Sequence, residues 1–266
     1  DSDCTCGAAN EQSTRIIGGK EVDPRYKYPW QVALVYANNT LQCGGSIINN
    51  LWILTAAHCL IDKDDNNNPV RPLYVWVGKH DRPILGTDTS PDTKRYDIKT
   101  YTPHDRYNSV DDNYDFALLE LTETIPFNNV IRPVCLPKDG SNDYAGEDGT
   151  VTGWGLTSND GSLSDVLKEA QVPILANNKC GNWAPAQITG LKLCAGAVNN
   201  TAFCSGDSGG PLCVVEDNKY IEVGVVSFYA GEGNGCYNEN YPGVYARVSK
   251  VLGWISDNAK SGTWCN

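Results

Sequence analysis

Three residues of this chain have side chains that could together break a peptide bond. Ser208 stands in the motif Gly-Asp-Ser-Gly-Gly-Pro at 206–211, where glycines allow a tight turn that exposes the hydroxyl. His58 follows Thr-Ala-Ala, and Asp115 precedes the apolar run Phe-Ala-Leu-Leu. A serine becomes a nucleophile when a histidine takes its proton, and an acid holds that histidine in the right tautomer. The order histidine, aspartate, serine along the chain therefore indicates acyl transfer through a covalent intermediate.

The composition indicates an extracellular protein. The chain has 266 residues with 11 cysteines and no methionine, and the cysteines lack the paired repeats of a zinc module, so we expect disulfides and secretion. A net charge of -11 disfavours nucleic acid and anionic membranes as partners. No run is typical of a membrane span and the polar start is no signal peptide, so we expect any targeting segment to have been removed. Asn-x-Thr triplets at Asn38 and Asn199 are candidate glycan acceptors.

The hydrophobic pattern predicts an all-β fold. Short strand-like runs, such as those at 31–36 and 221–227, recur along the chain. One late segment, with Val248, Val251 and Ile255 at helical spacing, predicts a C-terminal helix over about 248–259. A chain of this length can bury one large core or two modest ones.

Motifs spread over almost the whole chain resemble those of the chymotrypsin family (S1) of serine proteases. Besides the three catalytic motifs, they are Arg-Ile-Ile-Gly-Gly at 15–19, Pro-Trp-Gln-Val at 29–32, Cys-Gly-Gly-Ser at 43–46, Gly-Trp-Gly at 153–155 and Pro-Gly-Val-Tyr at 242–245. The resemblance implies two six-stranded antiparallel barrels, at about 28–130 and 145–248, within a protease domain at 16–266. The leader Cys-Thr-Cys-Gly at 4–7 is similar to that of arthropod secreted proteases, in particular the gluten-hydrolysing salivary proteases of wheat bugs (sunn pest).

The same resemblance implies that the chain is a zymogen. Residues 1–15 would form a propeptide, and cleavage between Arg15 and Ile16 would free an ammonium group on Ile16. That ammonium would pair with Asp207, because a buried carboxylate favours an opposite charge. The alternative is a cleaved form whose propeptide stays attached through a disulfide.

The resemblance also assigns the groups that would contact substrate. Backbone N–H groups of Gly206 and Ser208 would form the oxyanion hole. Ala202 stands at the base of the pocket, where trypsin-like enzymes carry an aspartate, and Phe203 adds bulk beside it. A buried arginine or lysine of the substrate would find no charged partner there, so we expect cleavage after neutral residues, with glutamine suggested by the wheat-bug resemblance. The implied pocket walls are Ser227, Phe228, Tyr229 and Gly243.

Eight cysteines can be paired by the resemblance. The implied disulfides are Cys43–Cys59, Cys180–Cys194, Cys204–Cys236 and Cys6–Cys135, and the last would hold the propeptide on the domain after cleavage. Cys4, Cys213 and Cys265 stay unassigned, so at least one thiol is free or bonded to another molecule. Cys213 stands one place before the usual family position, and strand neighbours face opposite ways, so we do not expect it in the usual site.

We expect no cofactor and no metal. Lys79 stands where the family's calcium loop needs a carboxylate ligand. His80 and His104 match no catalytic position and are expected to be surface or strand residues. The expected partners are a polypeptide substrate, a trypsin-like activating protease and protein protease inhibitors, and the chain is expected to be a monomer.

The function that follows is that of a secreted serine endopeptidase that digests storage proteins such as glutens. One alternative is an arthropod cascade protease that activates a clotting or prophenoloxidase zymogen, which an acid such as Glu232 reaching the pocket would favour. Another is a catalytically silent, protease-like binding protein. The presence of all three catalytic residue types disfavours that alternative.

Overall fold

The computed structural model describes residues 4–10, 19–61, 70–82, 91–156, 161–196, 204, 206–230 and 238–266. Most of the regular structure in these residues is strand. The strands are β1 Lys20–Glu21, β2 Gln31–Val35, β3 Leu41–Ile47, β4 Trp52–Thr55, β5 Tyr74–Val77, β6 Lys94–Pro103, β7 Ala117–Leu121, β8 Asp148–Gly153, β9 Lys168–Leu175, β10 Lys192–Ala195, β11 Pro211–Glu216, β12 Lys219–Phe228 and β13 Gly243–Arg247. The helix α1 spans Leu252–Asn258, and short 3₁₀ turns span Ala37–Asn39, Ala57–Leu60, Asn177–Lys179 and Val248–Lys250.

The first six-stranded barrel closes in the order β2-β3-β4-β7-β6-β5. Every pairing in it is antiparallel, and β2 pairs with both β3 and β5. All residues of β2 and β4 are buried, which explains why their sequences are apolar without strict alternation. Closure leaves this sheet without an exposed edge.

The second barrel contains β8, β9, β10, β13, β12 and β11, and the pairing of β8 with β9 closes it. The short strand β1 pairs antiparallel with the first two residues of β9. Two six-stranded antiparallel barrels with a short C-terminal helix confirm the predicted fold class. The apolar stripe of the last segment is buried as its spacing indicated, with Val248, Val251 and Ile255 nearly inaccessible.

Polar contacts join the two barrels where the site must form. The Thr152 hydroxyl donates to Gln31 Oε1 at 2.6 Å, and Ser46 donates to the buried carboxyl of Glu222. The indole of Trp154 donates to the carbonyl of His80 at 2.9 Å. Each pair joins one barrel to the other, so their relative placement is fixed by buried hydrogen bonds as well as by apolar packing.

Disulfides link the chain ends and the loops to the two barrels. The structure contains the bonds Cys43–Cys59, Cys180–Cys194, Cys6–Cys135 and Cys4–Cys265. Cys204 is also disulfide-bonded, while its predicted partner Cys236 lies outside the described residues. Cys213 is a buried free cysteine next to a bulge in β11. The leader around Cys4 and Cys6 is therefore bound covalently to the body of the protein at two points.

The prediction for the two remaining histidines is wrong, because neither lies on the surface or in a strand. His80 is fully buried, with Nε2 3.0 Å from Glu21 Oε1. His104 is buried between the rings of Tyr114 and Trp254, whose centroids lie 4.6 and 4.7 Å away. An imidazole has an apolar ring body and two nitrogens for hydrogen bonds, so it fits such partly polar packing.

Among the described residues, helices are too short or too polar to cross a membrane.

Candidate active site

His58 and Asp115 are in direct contact. His58 lies in the 3₁₀ turn after β4, and Asp115 lies two residues before β7, the strand that pairs with β4. His58 Nδ1 is 2.7 Å from Asp115 Oδ2, and the backbone N–H of His58 donates to Oδ1 at 2.9 Å. The carboxylate therefore fixes both the ring and the backbone of His58. An acceptor at Nδ1 selects the tautomer whose Nε2 is free to accept a proton.

Asp115 stays ionised although it is completely buried. Burial alone would raise the pKa of its carboxyl group, but the adjacent His58 and the hydrogen bonds from His58 and Ser227 outweigh that effect and leave the pKa below its ordinary value. The Ser227 hydroxyl donates to Asp115 Oδ2 at 2.6 Å. The sequence identified Ser227 only as a pocket wall and missed this contact. No local pattern in the sequence indicates this contact, because the two residues lie 112 positions apart.

Ser208 lies on a turn whose shape requires glycine. Gly206 and Gly209 have φ values of 98° and 76°, in the left-handed region that favours glycine. A Cβ on Gly209 would lie 2.2 Å from Thr55 Oγ1, so this glycine also allows the turn to approach the first barrel. The turn thereby presents Ser208 at the junction of the two barrels.

A short chain of contacts connects Ser208 to the histidine. The Ser208 carbonyl accepts a hydrogen bond from the N–H of Gly44 at 2.8 Å, and Cys43 is disulfide-bonded to Cys59, next to His58. Within the described part of the chain, no hydrogen bond joins the Ser208 hydroxyl to His58. Hydrogen bonds of this kind often tighten only when substrate binds.

The Asp207 carboxylate contacts backbone groups of the second barrel. It accepts from the N–H groups of Gly155 at 2.7 Å and Cys204 at 2.9 Å. A Cβ on Gly153 or Gly155 would lie within 2.3 Å of the carboxylate oxygens, so the Gly-Trp-Gly motif makes room for the acid. Burial raises the pKa of Asp207 to about 6, although the two N–H donors oppose the rise. The described residues include no cation paired with it.

Only part of the predicted specificity pocket can be placed. Ala202, Phe203 and the activation residues Arg15 and Ile16 lie outside the described residues, as does Asn199. Among the wall residues, Ser227 and Gly243 are buried and Tyr229 is half-buried. The Phe228 ring meets Trp183 edge to face, with 5.4 Å between centroids. This aromatic pair gives the described wall an apolar surface.

Among the described residues, Cys43, His58 and Cys59 have the residue types of metal ligands but do not form a metal site. Ligand atoms of Cys43, His58 and Cys59 lie within 4.8 Å of one another. The two sulfurs are joined in a disulfide and cannot act as thiolates. Lys79, at the calcium-loop position, is buried with its ammonium 4.9 Å over the Trp76 ring. A cation there does not suit Ca²⁺, which binds oxygen ligands.

Comparisons with known proteins agree with this geometry. The family model Trypsin matches residues 16–255. The chain is 33% identical to the proclotting enzyme of Tachypleus tridentatus over 263 residues, which cover 95% of this chain and 68% of that relative. It is 37% identical to trypsin 5G1 of Aedes aegypti over 252 residues, which cover 94% of this chain and 86% of the relative.

Proposed function

The chain belongs to the trypsin family of serine proteases and is a serine endopeptidase, and we propose that Ser208, His58 and Asp115 carry its catalysis. The observation that carries this proposal is the 2.7 Å contact between His58 Nδ1 and Asp115 Oδ2. It leaves Nε2 as the base for the Ser208 hydroxyl. The proton taken from Ser208 would pass to the leaving amine, and water would then hydrolyse the acyl-enzyme by the same route.

The oxyanion of the tetrahedral intermediate would be held by the backbone N–H groups of Gly206 and Ser208. Fixed donors aimed at the developing charge lower the barrier because they need no reorganisation during the reaction. The left-handed conformation of Gly206 supports this role, since it sets the direction of the peptide planes on either side. A side chain at that position would also meet Leu163, whose Cδ2 lies 2.6 Å from the ideal Cβ position.

We propose further that the protein is secreted as a zymogen, with residues 1–15 as propeptide. Cleavage after Arg15 would give Ile16 an ammonium group that pairs with Asp207. The raised pKa of Asp207 supports this step, because a buried carboxylate without a cation gains most from receiving one. The two leader disulfides would keep the propeptide attached to the enzyme after cleavage.

The proposed substrates have a neutral residue, such as glutamine, before the cleaved bond. Ala202 offers no charge to a buried arginine or lysine, and storage proteins such as glutens are the substrates that the wheat-bug resemblance suggests. An enzyme of this specificity would cleave its own Arg15–Ile16 bond poorly and would need a trypsin-like activator. The cascade role remains the second candidate, because one relative is a proclotting enzyme.

A cleavage profile distinguishes these candidates. The chain is cut at Arg15 with immobilised trypsin, the beads are removed, and a mixed peptide library is digested and read by mass spectrometry. Ser208→Ala, treated identically, controls for residual trypsin. Cuts after glutamine or other neutral residues support the digestive proposal. Cuts after arginine or lysine, together with self-activation of the untreated chain, would contradict it and favour the cascade role.

A further inference from the structure

A lysine lies buried where the two barrels meet. Lys192 begins β10, and only 1% of its surface is exposed. The rest of that strand is Leu-Cys-Ala, so a charged residue is unexpected there. Burial of an ammonium group is unfavourable unless polar contacts compensate for the lost water. The contacts of Lys192 must therefore offset this cost.

Those contacts join three segments around the catalytic acid. Lys192 Nζ donates to the carbonyl of Asp111 and, at 2.9 Å, to the carbonyl of Gln187. It also lies 5.2 Å from the centroid of the Phe228 ring, within the range of a cation–π contact. Asp111 belongs to the first barrel, whereas Gln187 and Phe228 belong to the second. One buried ammonium thus connects the two barrels beside Asp115.

The segment that Lys192 contacts, residues 108–114, leads directly into Asp115 and ends in a residue with an unfavourable backbone conformation. Tyr114 has a φ of 56°, in the left-handed region that bulky residues avoid, and Asp112, whose short polar side chain tolerates that region, has a φ of 50°. Asn113, between them, accepts a hydrogen bond from the Thr189 hydroxyl at 3.0 Å. Contacts from the second barrel therefore add to hydrogen bonds within the segment, such as that from the Asn113 N–H to Asp111 at 3.0 Å, in holding Tyr114 in this conformation.

A second connection from Lys192 reaches Asp115 through Phe228 and Ser227. Phe228, which lies under the Lys192 ammonium, directly follows Ser227. The Ser227 hydroxyl donates to the same carboxylate oxygen that faces His58. Lys192 consequently contacts both the segment that delivers Asp115 and the neighbour of the serine that orients its carboxylate.

We propose that Lys192 is a positioning residue for the reaction, which fixes Asp115 and through it the imidazole of His58. This inference rests on the proposed role of Asp115. Without the ammonium, residues 108–114 relax toward ordinary backbone angles and the carboxylate shifts relative to Nδ1. A displacement of this kind slows the chemical step, because the reacting groups are held less well, but leaves substrate binding nearly unchanged.

The test compares Lys192→Met with Lys192→Arg in enzyme cleaved at Arg15. Methionine has a similar length but no donors and no charge, and we expect it to lower kcat about tenfold or more with KM changed less than about twofold. The proton NMR signal of the hydrogen between His58 and Asp115 should exchange faster. Arginine keeps a cation and donors and should restore much of kcat. Lys99→Met is the matched control, because Lys99 is 59% exposed on β6, and it should leave kcat and the signal unchanged.

Two further variants make every outcome decisive. Thr189→Val removes the hydrogen bond to Asn113 at a half-buried position and should lower kcat about threefold. A folded Lys192→Met with the kcat and NMR signal of the wild type overturns the inference. If Lys192→Met does not fold, a wild-type kcat in Thr189→Val overturns it instead. Asp115→Asn separates the two proposals. If Asp115→Asn is active, the proposed function fails, whereas if only Lys192→Met is fully active, the role of Lys192 fails alone.

Discussion

Replacement of Asp207 by asparagine should change the stability of the protein in opposite directions before and after cleavage at Arg15. In the uncleaved chain, burial raises the pKa of Asp207 from 3.8 to about 6. The folded state holds this proton more tightly than the unfolded state, so folding stability falls as the pH rises from about 4 to about 6 and then levels. At about 1.4 kcal/mol per pH unit, the ionised acid costs about 3 kcal/mol at pH 7.5.

Asparagine removes that charge but keeps only one good acceptor for the N–H groups of Gly155 and Cys204. One lost hydrogen bond costs about 1 kcal/mol, so Asp207→Asn should stabilise the uncleaved chain by about 2 kcal/mol at pH 7.5. At pH 4, where the acid is neutral, that gain should disappear. After cleavage, the Ile16 ammonium would lose its partner, and the same substitution should destabilise the protein by about 3 kcal/mol or more.

The assay is urea unfolding followed by tryptophan fluorescence, at pH 7.5 and pH 4, on uncleaved and trypsin-cleaved protein. A Ser208→Ala background prevents self-digestion during the measurement. Comparison of the four proteins, with and without Asp207→Asn and with and without cleavage, isolates the effect of the new ammonium. An effect of the same sign and size in both forms would refute the pairing of Ile16 with Asp207.

Three further outcomes are expected. Burial raises the pKa of Glu222 from 4.5 to about 8, so the free energy of unfolding should fall by up to about 5 kcal/mol as the pH rises through this range. In Glu222→Gln, urea titrations at pH 5 and 8 should show a much smaller fall. The same fall in the variant as in the wild type would contradict this prediction. On non-reducing gels after trypsin cleavage, the leader should remain attached in Cys4→Ser and in Cys6→Ser, and should be released only in the double variant; release from either single variant would argue against the second bond. Asp115→Asn should lower kcat by about 10⁴-fold with a small change in KM, measured on a peptide amide, and a loss confined to KM would count against its role.

The sequence predicted the parts of this protein that short motifs encode. The recurring short apolar runs predicted an all-β fold, and the resemblance to chymotrypsin-family motifs implied the double barrel and the grouping of His58 with Asp115. Contacts between distant segments could not be read in this way. The bond from Ser227 to Asp115 joins residues 112 positions apart, and Cys4–Cys265 joins residues 261 positions apart.

The buried polar residues show the same limit. From the sequence alone, Lys192 and His80 are expected at the surface, because lysine is seldom fully buried in proteins and histidine is buried less often than apolar residues. Their burial depends on carbonyl and carboxylate partners that only the assembled barrels provide. The free thiol of Cys213 was equally undetermined, because three cysteines without assigned partners allow several pairings.

Ser208 should become a nucleophile once the bond after Arg15 is cut. The most direct measurement is to expose uncleaved and trypsin-cleaved protein, freed of trypsin beads, to a fluorophosphonate and to locate the adduct by peptide mass spectrometry. We expect rapid modification of Ser208 in the cleaved protein, little in the uncleaved protein, and none in cleaved His58→Ala. An unmodified Ser208 after cleavage, or an adduct on another residue, would overturn the proposed role of Ser208.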